Sequence, residues 1–350
     1  MLKNKIAVLT KINSQLKLIN NINIPSLKRN QVLIKVIYTA VCGSQLQEIS
    51  GNRDSKKYIP HALGHEASGY VIDKNKSVTK VKINDKVFIS WISSNGKDAL
   101  PPKYYFPQTK KLINCGKVAT FSEFCIVPEN KVYPLPKNLS LKDSVLLGCA
   151  IPTGAGMVIN QSKISNKKKI LILGLGGVGL SCLMAVKLKK NIYVDVYDKN
   201  INTYKIVKKF FSKITCLSAK NFGNIHEKIK KNKIKSYDYV FETSGNIKVL
   251  ENSVYLINNT GKVIFASHPP KKKFIKIDPF ELIKGKKIEG SWGGNTNFNK
   301  NIDNFVKLIK KNRKLINYLT NKSFNFNLIN KAIRLMKNGK ILRPIIEMKR

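Results

Sequence analysis

Three segments in the first half of the chain carry side chains that could together hold a metal ion. Cys42 lies in C-G-S-Q, His65 in G-H-E, and Cys149 in L-L-G-C-A. Zinc binds thiolate and imidazole well, and a catalytic zinc keeps three protein ligands with a fourth position open. The gaps between the three residues are too wide for a zinc-finger signature. Taken singly, therefore, each cysteine also fits a small buried apolar residue, and the histidine fits a hydrogen-bonded structural one.

A second chemical signal is the glycine-rich turn G-L-G-G-V-G, which follows the apolar run Ile170–Leu173. A short apolar run of this kind indicates a strand buried on both faces, and a helix is predicted after it, from Val178 to Lys189. In a dinucleotide fingerprint, the first glycine (Gly174) allows the tight turn and the second (Gly176) lets the backbone approach the pyrophosphate. The third (Gly179) lets the helix pack closely. The helix N-terminus offers unpaired N–H groups to the phosphates.

An acidic residue stands at the end of the next predicted strand, Ile192–Tyr197. This residue, Asp198, is about as far from the glycines as the carboxylate that bonds the ribose hydroxyls in dinucleotide-binding folds. The alternative reading is an N-cap for the following helix. A carboxylate here favours NAD over NADP, because it would repel a 2′-phosphate, although the neighbouring Lys199 weakens that preference.

The first 150 residues predict a mostly antiparallel β domain, because short runs of period-two character alternate with Pro and Gly turns. The predicted strands are Lys5–Thr10, Gln31–Thr39, Ala67–Ile72, Lys86–Trp91 and Glu123–Pro128.

From Lys167 onward, strand and helix patterns alternate, which indicates a parallel sheet covered by helices on both faces. The predicted strands after Tyr197 are Ile214–Leu217, Tyr237–Glu242, Lys262–Ser267 and Lys286–Trp292. The predicted helices are Thr203–Phe211, Ile225–Lys231 and Ile247–Ile257. The tail, with a last strand at Ile341–Met348, is expected to return to the first domain.

The totals are compatible with a two-domain cytoplasmic protein. The 350 residues suffice for two cores, and no apolar run is long enough for a transmembrane span or a signal peptide. Six cysteines are scattered without a paired framework, which suits a reducing compartment.

The charge balance is strongly basic, with 64 Lys and Arg against 20 Asp and Glu, a formal net charge of +44. Such a balance is compatible with a nucleic-acid or membrane-surface partner. However, the basic residues are nearly all lysines spread along the whole chain, and no nucleic-acid-binding motif accompanies them. We therefore predict solvated lysine-rich faces, with no specific nucleic acid and no membrane as partner.

Taken together, these motifs resemble those of the zinc-dependent medium-chain dehydrogenases/reductases, the zinc-containing alcohol dehydrogenase family. The resemblance rests on C-G-S at Cys42, on G-H-E at His65, on LGCAIPTGAG at 147–156, on LGLGGVGLS at 173–181 and on NGKILRPII at 338–346. It implies an α/β fold with two domains. The first is a β-rich GroES-like catalytic domain of residues 1–150, completed by 287–350. The second, residues 151–286, is a doubly wound parallel-sheet Rossmann domain that binds the dinucleotide.

The resemblance also implies residue roles. Cys42, His65 and Cys149 would bind one catalytic zinc, Glu66 would lie beside it, and Ser44 would pass the alcohol proton. The remaining residues implied by the resemblance would contact the cofactor: Thr153 at the nicotinamide, the turn residues Gly174, Gly176, Gly177, Val178 and Gly179 and the tail residue Arg343 at the pyrophosphate, and Asp198 at the ribose.

Three departures from the family pattern stand out. Gln45 replaces the aspartate that usually supports the zinc-bound histidine, and a neutral amide raises ligand basicity less than a carboxylate does. Gln47 stands where many members have a histidine that relays protons. The lobe at residues 90–115 has only Cys115, where many members have four cysteines, so we predict no structural zinc.

The expected function is a zinc-dependent alcohol or carbonyl oxidoreductase that transfers a hydride between an alcohol or polyol-type substrate and NAD(H). One alternative is a zinc-free, NADPH-dependent enone or quinone reductase of the same superfamily. Another is a polyanion-binding protein on an inactive dehydrogenase fold. The resemblance further implies a homodimer or homotetramer, joined through the edge of the nucleotide-binding sheet, for which Lys262–Ser267 is the predicted edge strand.

Overall fold

The computed structural model describes residues 2–218, 227, 231, 235–270 and 272–348, and the chain divides into two compact units. The first unit comprises Met1–Cys149 and Asn297–Arg350, and the second comprises Ala150–Thr296. The chain thus returns to the first unit at 297 rather than at 287 as expected. The physical reason is that Lys287–Gly290 forms a strand that pairs with the sheet of the second unit.

The first 149 residues form short strands and two helices, as the period-two runs predicted. They are β1 (Lys3–Leu9), β2 (Lys17–Asn23), β3 (Gln31–Ala40), α1 (Gly43–Ile49), β4 (His61–Ala62), β5 (Glu66–Lys74), β6 (Lys86–Ser90), β7 (Tyr104–Tyr105), β8 (Leu112–Ile113), β9 (Phe124–Pro128), β10 (Val132–Pro134) and α2 (Leu141–Ser144). The sequence did not predict β2, since its asparagine-rich KLINNIN shows no clear apolar alternation.

The second unit alternates strands with helices. Its elements are α3 (Ala150–Gly156), which continues as a π-helical turn at Met157–Gln161, β11 (Lys169–Leu173), α4 (Gly177–Val186), β12 (Tyr193–Tyr197), α5 (Asn202–Phe210), β13 (Ile214–Cys216), β14 (Tyr237–Glu242), α6 (Ile247–Ser253), β15 (Ile257–Phe265), α7 (Pro279–Ile283) and β16 (Lys287–Gly290). Of the helix expected at Ile225–Lys231, the structure describes only residues 227 and 231, so the prediction lies almost entirely outside the described residues.

The tail adds helices and two strands to the first unit. They are α8 (Phe298–Lys311), α9 (Arg313–Thr320), β17 (Ser323–Asn325), α10 (Ile329–Lys337) and β18 (Ile345–Glu347). As expected, the last strand returns to the β domain, where β18 pairs antiparallel with β3. The strand is shorter than predicted, because Pro344 has no N–H to contribute to a ladder.

The largest sheet of the first unit has the order β10-β6-β5-β3-β18-β17, with β9 also paired to β3. Most residues of β3 are buried, so this strand lies at the centre of the core. It pairs antiparallel with β5, with Thr39 opposite Ala67. The end of β3 and the start of β5 therefore meet at one edge of the sheet, just before Cys42 and just after His65 in the chain.

The sheet of the second unit has six parallel strands in the order β13-β12-β11-β14-β15-β16. Relative to β11 this is 3-2-1-4-5-6, the order of a doubly wound dinucleotide-binding sheet, which confirms the predicted fold class. The prediction that Lys262–Ser267 forms the edge strand of this sheet is wrong. Residues 262–265 belong to β15, which lies between β14 and β16, so the described strands at the two edges are β13 and β16.

No single helix of the described residues is long and apolar enough to span a membrane. One bent pair, Leu141–Gly148 with Ala150–Gln161, passes that test on length and composition alone. Most of its residues are buried in the protein itself.

Candidate metal centre and dinucleotide site

The first unit brings the three predicted metal ligands together from three elements. Cys42 follows β3 and immediately precedes α1, His65 immediately precedes β5, and Cys149 follows the 3₁₀ turn Val145–Gly148. Two contacts hold that turn in place. The Ser90 hydroxyl donates to the Gly148 carbonyl at 2.7 Å, and any Cβ at Gly148 would collide with the Cβ of Glu66. Glycine is therefore required for the turn to approach the start of β5.

The distances in this cluster suit a zinc ion. The sulfur atoms of Cys42 and Cys149 are 3.9 Å apart, and one ligand atom from each of Cys42, His65, Glu66 and Cys149 lies within 4.8 Å of the others. Two sulfurs bound tetrahedrally at a Zn–S distance of about 2.3 Å are separated by about 3.8 Å. Among the described residues, this is the one group of His, Cys, Asp and Glu side chains with such spacing.

Two buried polar atoms in the cluster have no hydrogen-bond partner in the described structure: His65 Nε2 and Glu66 Oε2. Buried polar atoms are almost always satisfied, so a pair of unsatisfied ones in one cluster indicates a group that binds there. Both atoms are suitable metal ligands. The donor set and its burial therefore fit zinc, with Cys42, His65 and Cys149 as protein ligands and Glu66 beside them.

The two thiols interact directly. The hydrogen bond with Cys149 lowers the pKa of Cys42 well below its usual range, with further lowering from Arg343 and His65, although burial opposes the shift. The same hydrogen bond, together with burial, raises the pKa of Cys149. Zinc binds cysteine as thiolate, so a bound metal ion would replace this hydrogen bond and release the thiol protons.

Arg343 was expected at the pyrophosphate, but its contact in the structure is with Glu66. Its Nη2 forms an ion pair with Glu66 Oε1, and both side chains are almost fully buried. Burial raises the pKa of the Glu66 carboxyl, and the charge of Arg343 opposes that shift. The predicted pyrophosphate contact of Arg343 stays a prediction. Its Nε atom has no partner among the described residues.

The side chains at the start of α1 have distinct environments. Gln45 is fully buried; its Oε1 accepts from the Cys42 N–H at 2.8 Å, and its Nε2 lies 2.5 Å from His65 Nδ1. The Ser44 hydroxyl is buried and has no partner in the described part of the chain. Gln47 instead accepts from Asn52 Nδ2 at 2.8 Å.

Three glycines of the turn in the second unit have different structural roles. Gly174 has φ +89°, a conformation that residues with a Cβ rarely adopt. A Cβ on Gly179 would collide with the Gly174 carbonyl, so this glycine allows α4 to pack against the turn. A Cβ on Gly176 would meet nothing within 4 Å, so the backbone there is open to a ligand. With Gly177 and Val178 in its first turn, the N-terminus of α4 presents free N–H groups beside that opening.

Asp198 immediately follows β12, as predicted, and its carboxylate is held against the glycine turn. One oxygen accepts from the Leu175 N–H at 2.5 Å and the other accepts from the Asn200 N–H at 2.7 Å. A residue that sequence reasoning missed also supports the turn: the Thr243 hydroxyl donates to the Gly174 carbonyl at 2.8 Å. The position of Thr243 at the end of β14, beside β11 in a parallel sheet, was the available signal.

Thr153, the predicted nicotinamide contact, lies in α3, and its hydroxyl is buried with no partner among the described residues. The lobe that lacks the four cysteines is packed with apolar side chains instead. Tyr104 and Cys115 are both buried there, and burial raises the pKa of the Cys115 thiol far above its usual value. Cys115 therefore behaves as part of a small core.

Comparison with known families matches two segments of the chain. Residues 28–137 match the alcohol dehydrogenase GroES-like domain, and residues 177–311 match the zinc-binding dehydrogenase domain. Cys42 and His65 lie in the first segment and all of α4 lies in the second, whereas Cys149 lies between the two.

Individual relatives agree with this assignment. An S-(hydroxymethyl)glutathione dehydrogenase from Photobacterium damsela subsp. piscicida is 24% identical over 344 residues, covering 91% of this chain and 93% of the relative. The crystal structure of an alcohol dehydrogenase zinc-binding domain protein from Burkholderia ambifaria superposes with a TM-score of 0.88 at 20% identity, over the whole of both chains. Benzyl alcohol dehydrogenase from Acinetobacter calcoaceticus gives a TM-score of 0.85 at 24% identity, over 99% of this chain and all of that one.

Proposed function

This chain belongs to the zinc-containing medium-chain alcohol dehydrogenase family and is an oxidoreductase of the alcohol dehydrogenase type; from that premise we propose that it is zinc-dependent and transfers a hydride between an alcohol or polyol-type substrate and NAD(H). The observation that carries the proposal is the cluster of Cys42, His65 and Cys149, whose ligand atoms suit one zinc ion. The doubly wound sheet with its glycine turn supplies the nucleotide-binding half of the same activity.

The proposed metal ligands are Cys42 Sγ, Cys149 Sγ and the free ring nitrogen of His65. When bound, zinc acts as a Lewis acid that polarises the substrate oxygen. The protein contributes a buried pocket in which both sulfurs already lie at about the separation that zinc requires, so the two sulfur atoms need to move little on binding. Glu66, held on one side by Arg343, places its second oxygen as a further acceptor within the cluster.

We propose that the Ser44 hydroxyl takes up the proton that the substrate alcohol loses. The Ser44 hydroxyl is buried without a partner, so it is available to accept a proton from a substrate hydroxyl and pass it on. Gln47 cannot take up a proton, so a relay through Ser44 ends in water or in the bound cofactor.

The nicotinamide supplies the hydride chemistry itself, and the chain's residues orient it. Gly176 and the N-terminus of α4 would hold the pyrophosphate, Asp198 the adenosine ribose, and Thr153 the nicotinamide. The carboxylate of Asp198 supports NAD as the cofactor over NADP. We further propose one catalytic zinc and no structural zinc, a homodimer or homotetramer, and a cytoplasmic location, in keeping with six unpaired cysteines.

The experiment is an assay of NAD⁺ reduction at 340 nm with a panel of primary alcohols, secondary alcohols and polyols, run with zinc and after chelation. We expect zinc-dependent turnover that His65→Ala abolishes while NADH binding persists. His61→Ala is the matched control, because the ring of His61 lies outside the cluster and donates from Nδ1 to the Asn114 carbonyl at 2.9 Å.

Two outcomes would overturn the proposal. Metal-independent reduction of enones or quinones with NADPH would favour the zinc-free reductase. Retention on nucleic acid at physiological salt, without nicotinamide turnover, would favour the polyanion-binding protein.

A further inference from the structure

The hydrogen bonds of Gln45 determine which ring nitrogen of His65 carries the proton. The amide Oε1 accepts from the backbone N–H of Cys42 at 2.8 Å, and the amide Nε2 lies 2.5 Å from His65 Nδ1. Cys42 is the N-cap of α1 and Gln45 is its third residue, so the first contact is one half of a capping box. Gln45 is 0% exposed, so bulk solvent does not reach either contact.

These contacts fix which end of the amide faces the ring. The Cys42 N–H can only donate, so the oxygen of Gln45 must face it. The NH₂ group of Gln45 then faces His65 Nδ1 and can only donate to it. A neutral imidazole that accepts at Nδ1 carries its proton on Nε2. Nε2 is the nitrogen that has no other partner and is free for the metal cluster.

A zinc ligand needs the opposite arrangement. Metal-binding histidines donate their second ring N–H to a carboxylate or carbonyl oxygen, which fixes the tautomer and supports the metal bond. If the proton of His65 moves to Nδ1, it meets the NH₂ group of Gln45. If the amide rotates to accept that proton, its NH₂ group meets the Cys42 N–H instead. Either way, two buried donors face each other and one loses its acceptor.

We propose that Gln45 is a positioning residue that holds His65 in the tautomer protonated at Nε2, and that it thereby weakens zinc binding rather than supporting it. The inference rests on the proposed zinc site. Zinc binding then requires that Gln45 and His65 exchange hydrogen-bond partners at the start of α1. A carboxylate at position 45 would accept from both the Cys42 N–H and His65 Nδ1–H, and would remove the conflict.

The test combines zinc affinity with a spectroscopic readout. Zinc dissociation constants are measured by competition with a chromophoric chelator for wild type, Gln45→Glu and Gln45→Met. We expect Gln45→Glu to bind zinc about 10–100-fold more tightly than wild type. Gln45→Met, which can neither donate nor accept, is expected to bind zinc no more weakly than wild type. Gln47→Glu adds the same charge to the same helix away from His65 and is expected to gain much less.

The second readout needs no metal. The protein has four histidines, so ¹⁵N-labelled imidazole spectra of the chelator-treated chain at pH 8 can be assigned with His65→Ala. We expect His65 to be protonated at Nε2 in wild type and at Nδ1 in Gln45→Glu. Protonation at Nδ1 in wild type, or a 10-fold or greater loss of zinc affinity in Gln45→Met, would overturn the inference while leaving the zinc site intact. Absence of zinc binding in every variant would overturn both this inference and the proposed function.

Discussion

The sulfur atoms of Cys42 and Cys149 lie 3.9 Å apart, although 107 residues separate them in the chain. The chain closes that distance with rigid elements: β3 leads to Cys42, and the 3₁₀ turn before Cys149 is fixed by Ser90 against the end of β6. Both thiols belong to the first unit, so their separation does not depend on the nucleotide-binding unit. The two proposed thiolate ligands are therefore held at this separation within one folded unit.

Substitutions at two glycines of the glycine turn should affect different properties, NADH affinity at Gly176 and stability at Gly179. We expect Gly176→Ala to fold normally and to weaken NADH binding about tenfold or more, because its methyl group would enter the space left open for the pyrophosphate. We expect Gly179→Ala to lower the free energy of unfolding by about 1–3 kcal/mol, because its methyl group would overlap the Gly174 carbonyl. Fluorescence titration with NADH and urea unfolding separate the two effects. Equal loss of stability in both variants would show that Gly176 has only a structural role.

Asp198 should set the cofactor preference. Replacing it with Ala removes the carboxylate that would bond the ribose and repel a 2′-phosphate, so we expect the ratio of the NADPH to the NADH dissociation constants to fall about tenfold. The matched control is Asp195→Ala, on the same strand, whose carboxylate accepts from the Tyr237 hydroxyl. An unchanged ratio in Asp198→Ala would leave that carboxylate as a support of the glycine turn alone, through Leu175 and Asn200.

Removing one partner of the ion pair between Glu66 and Arg343 should lower the free energy of unfolding more than replacing both partners by neutral residues. Arg343→Met leaves the Glu66 carboxylate buried and unpaired, and we expect it to lower the free energy of unfolding by about 3–5 kcal/mol. Adding Glu66→Gln should recover a large part of that loss, since no charge is then left unpaired. Urea unfolding of the chelator-treated chains measures both. Additive losses in the double variant would contradict a direct pairing.

Glu242 should make stability depend on pH. Burial raises the pKa of this carboxyl above its ordinary 4.5, and hydrogen bonds from Ser244 and Gly245 oppose the shift only in part. A raised pKa in the folded state means that the stabilising contribution is complete below pH 4.5 and is lost as the pH rises through the folded value. We therefore expect Glu242→Gln to raise the free energy of unfolding at pH 8 more than at pH 4. An equal gain in the free energy of unfolding at pH 4 and pH 8 would contradict a raised pKa for Glu242.

Much of the fold was accessible from the sequence, because the patterns that specify it are local. The runs at Gln31–Thr39 and Tyr237–Glu242 are apolar enough to mark buried strands, and the structure places β3 and β14 within a residue of those bounds. Boundaries were less certain where the sequence becomes polar. Strand β15 begins at Ile257, five residues before the predicted start, because its first residues include Asn258 and Asn259, which give no strand signal.

The order of strands was the part that local patterns could not supply. Lys262–Ser267 was expected at the sheet edge, but the pairing of Lys262 with Lys287 covers that edge with β16. Register between strands far apart in sequence is set by tertiary packing, which no single segment encodes.

The candidate site was predicted residue by residue, yet its hydrogen bonds were not. From the sequence, Gln45 was recognised only as a neutral replacement for the aspartate that usually supports the zinc-bound histidine. The structure shows that its oxygen is already used by the Cys42 N–H. Likewise, the ion pair between Arg343 and Glu66 depends on where the tail packs, and the spacing of the motifs does not show this.

The most direct test of the central claim is the zinc stoichiometry of the chain, measured by equilibrium titration and metal analysis for wild type, Cys149→Ser and Cys125→Ser. Cys125 is a buried thiol of the same unit that packs in the hydrophobic core, so it controls for the loss of a cysteine as such. We expect one zinc per chain for wild type and Cys125→Ser, and a loss of zinc affinity of at least 100-fold for Cys149→Ser. Undiminished zinc binding by Cys149→Ser, or no zinc bound by wild type, would contradict it.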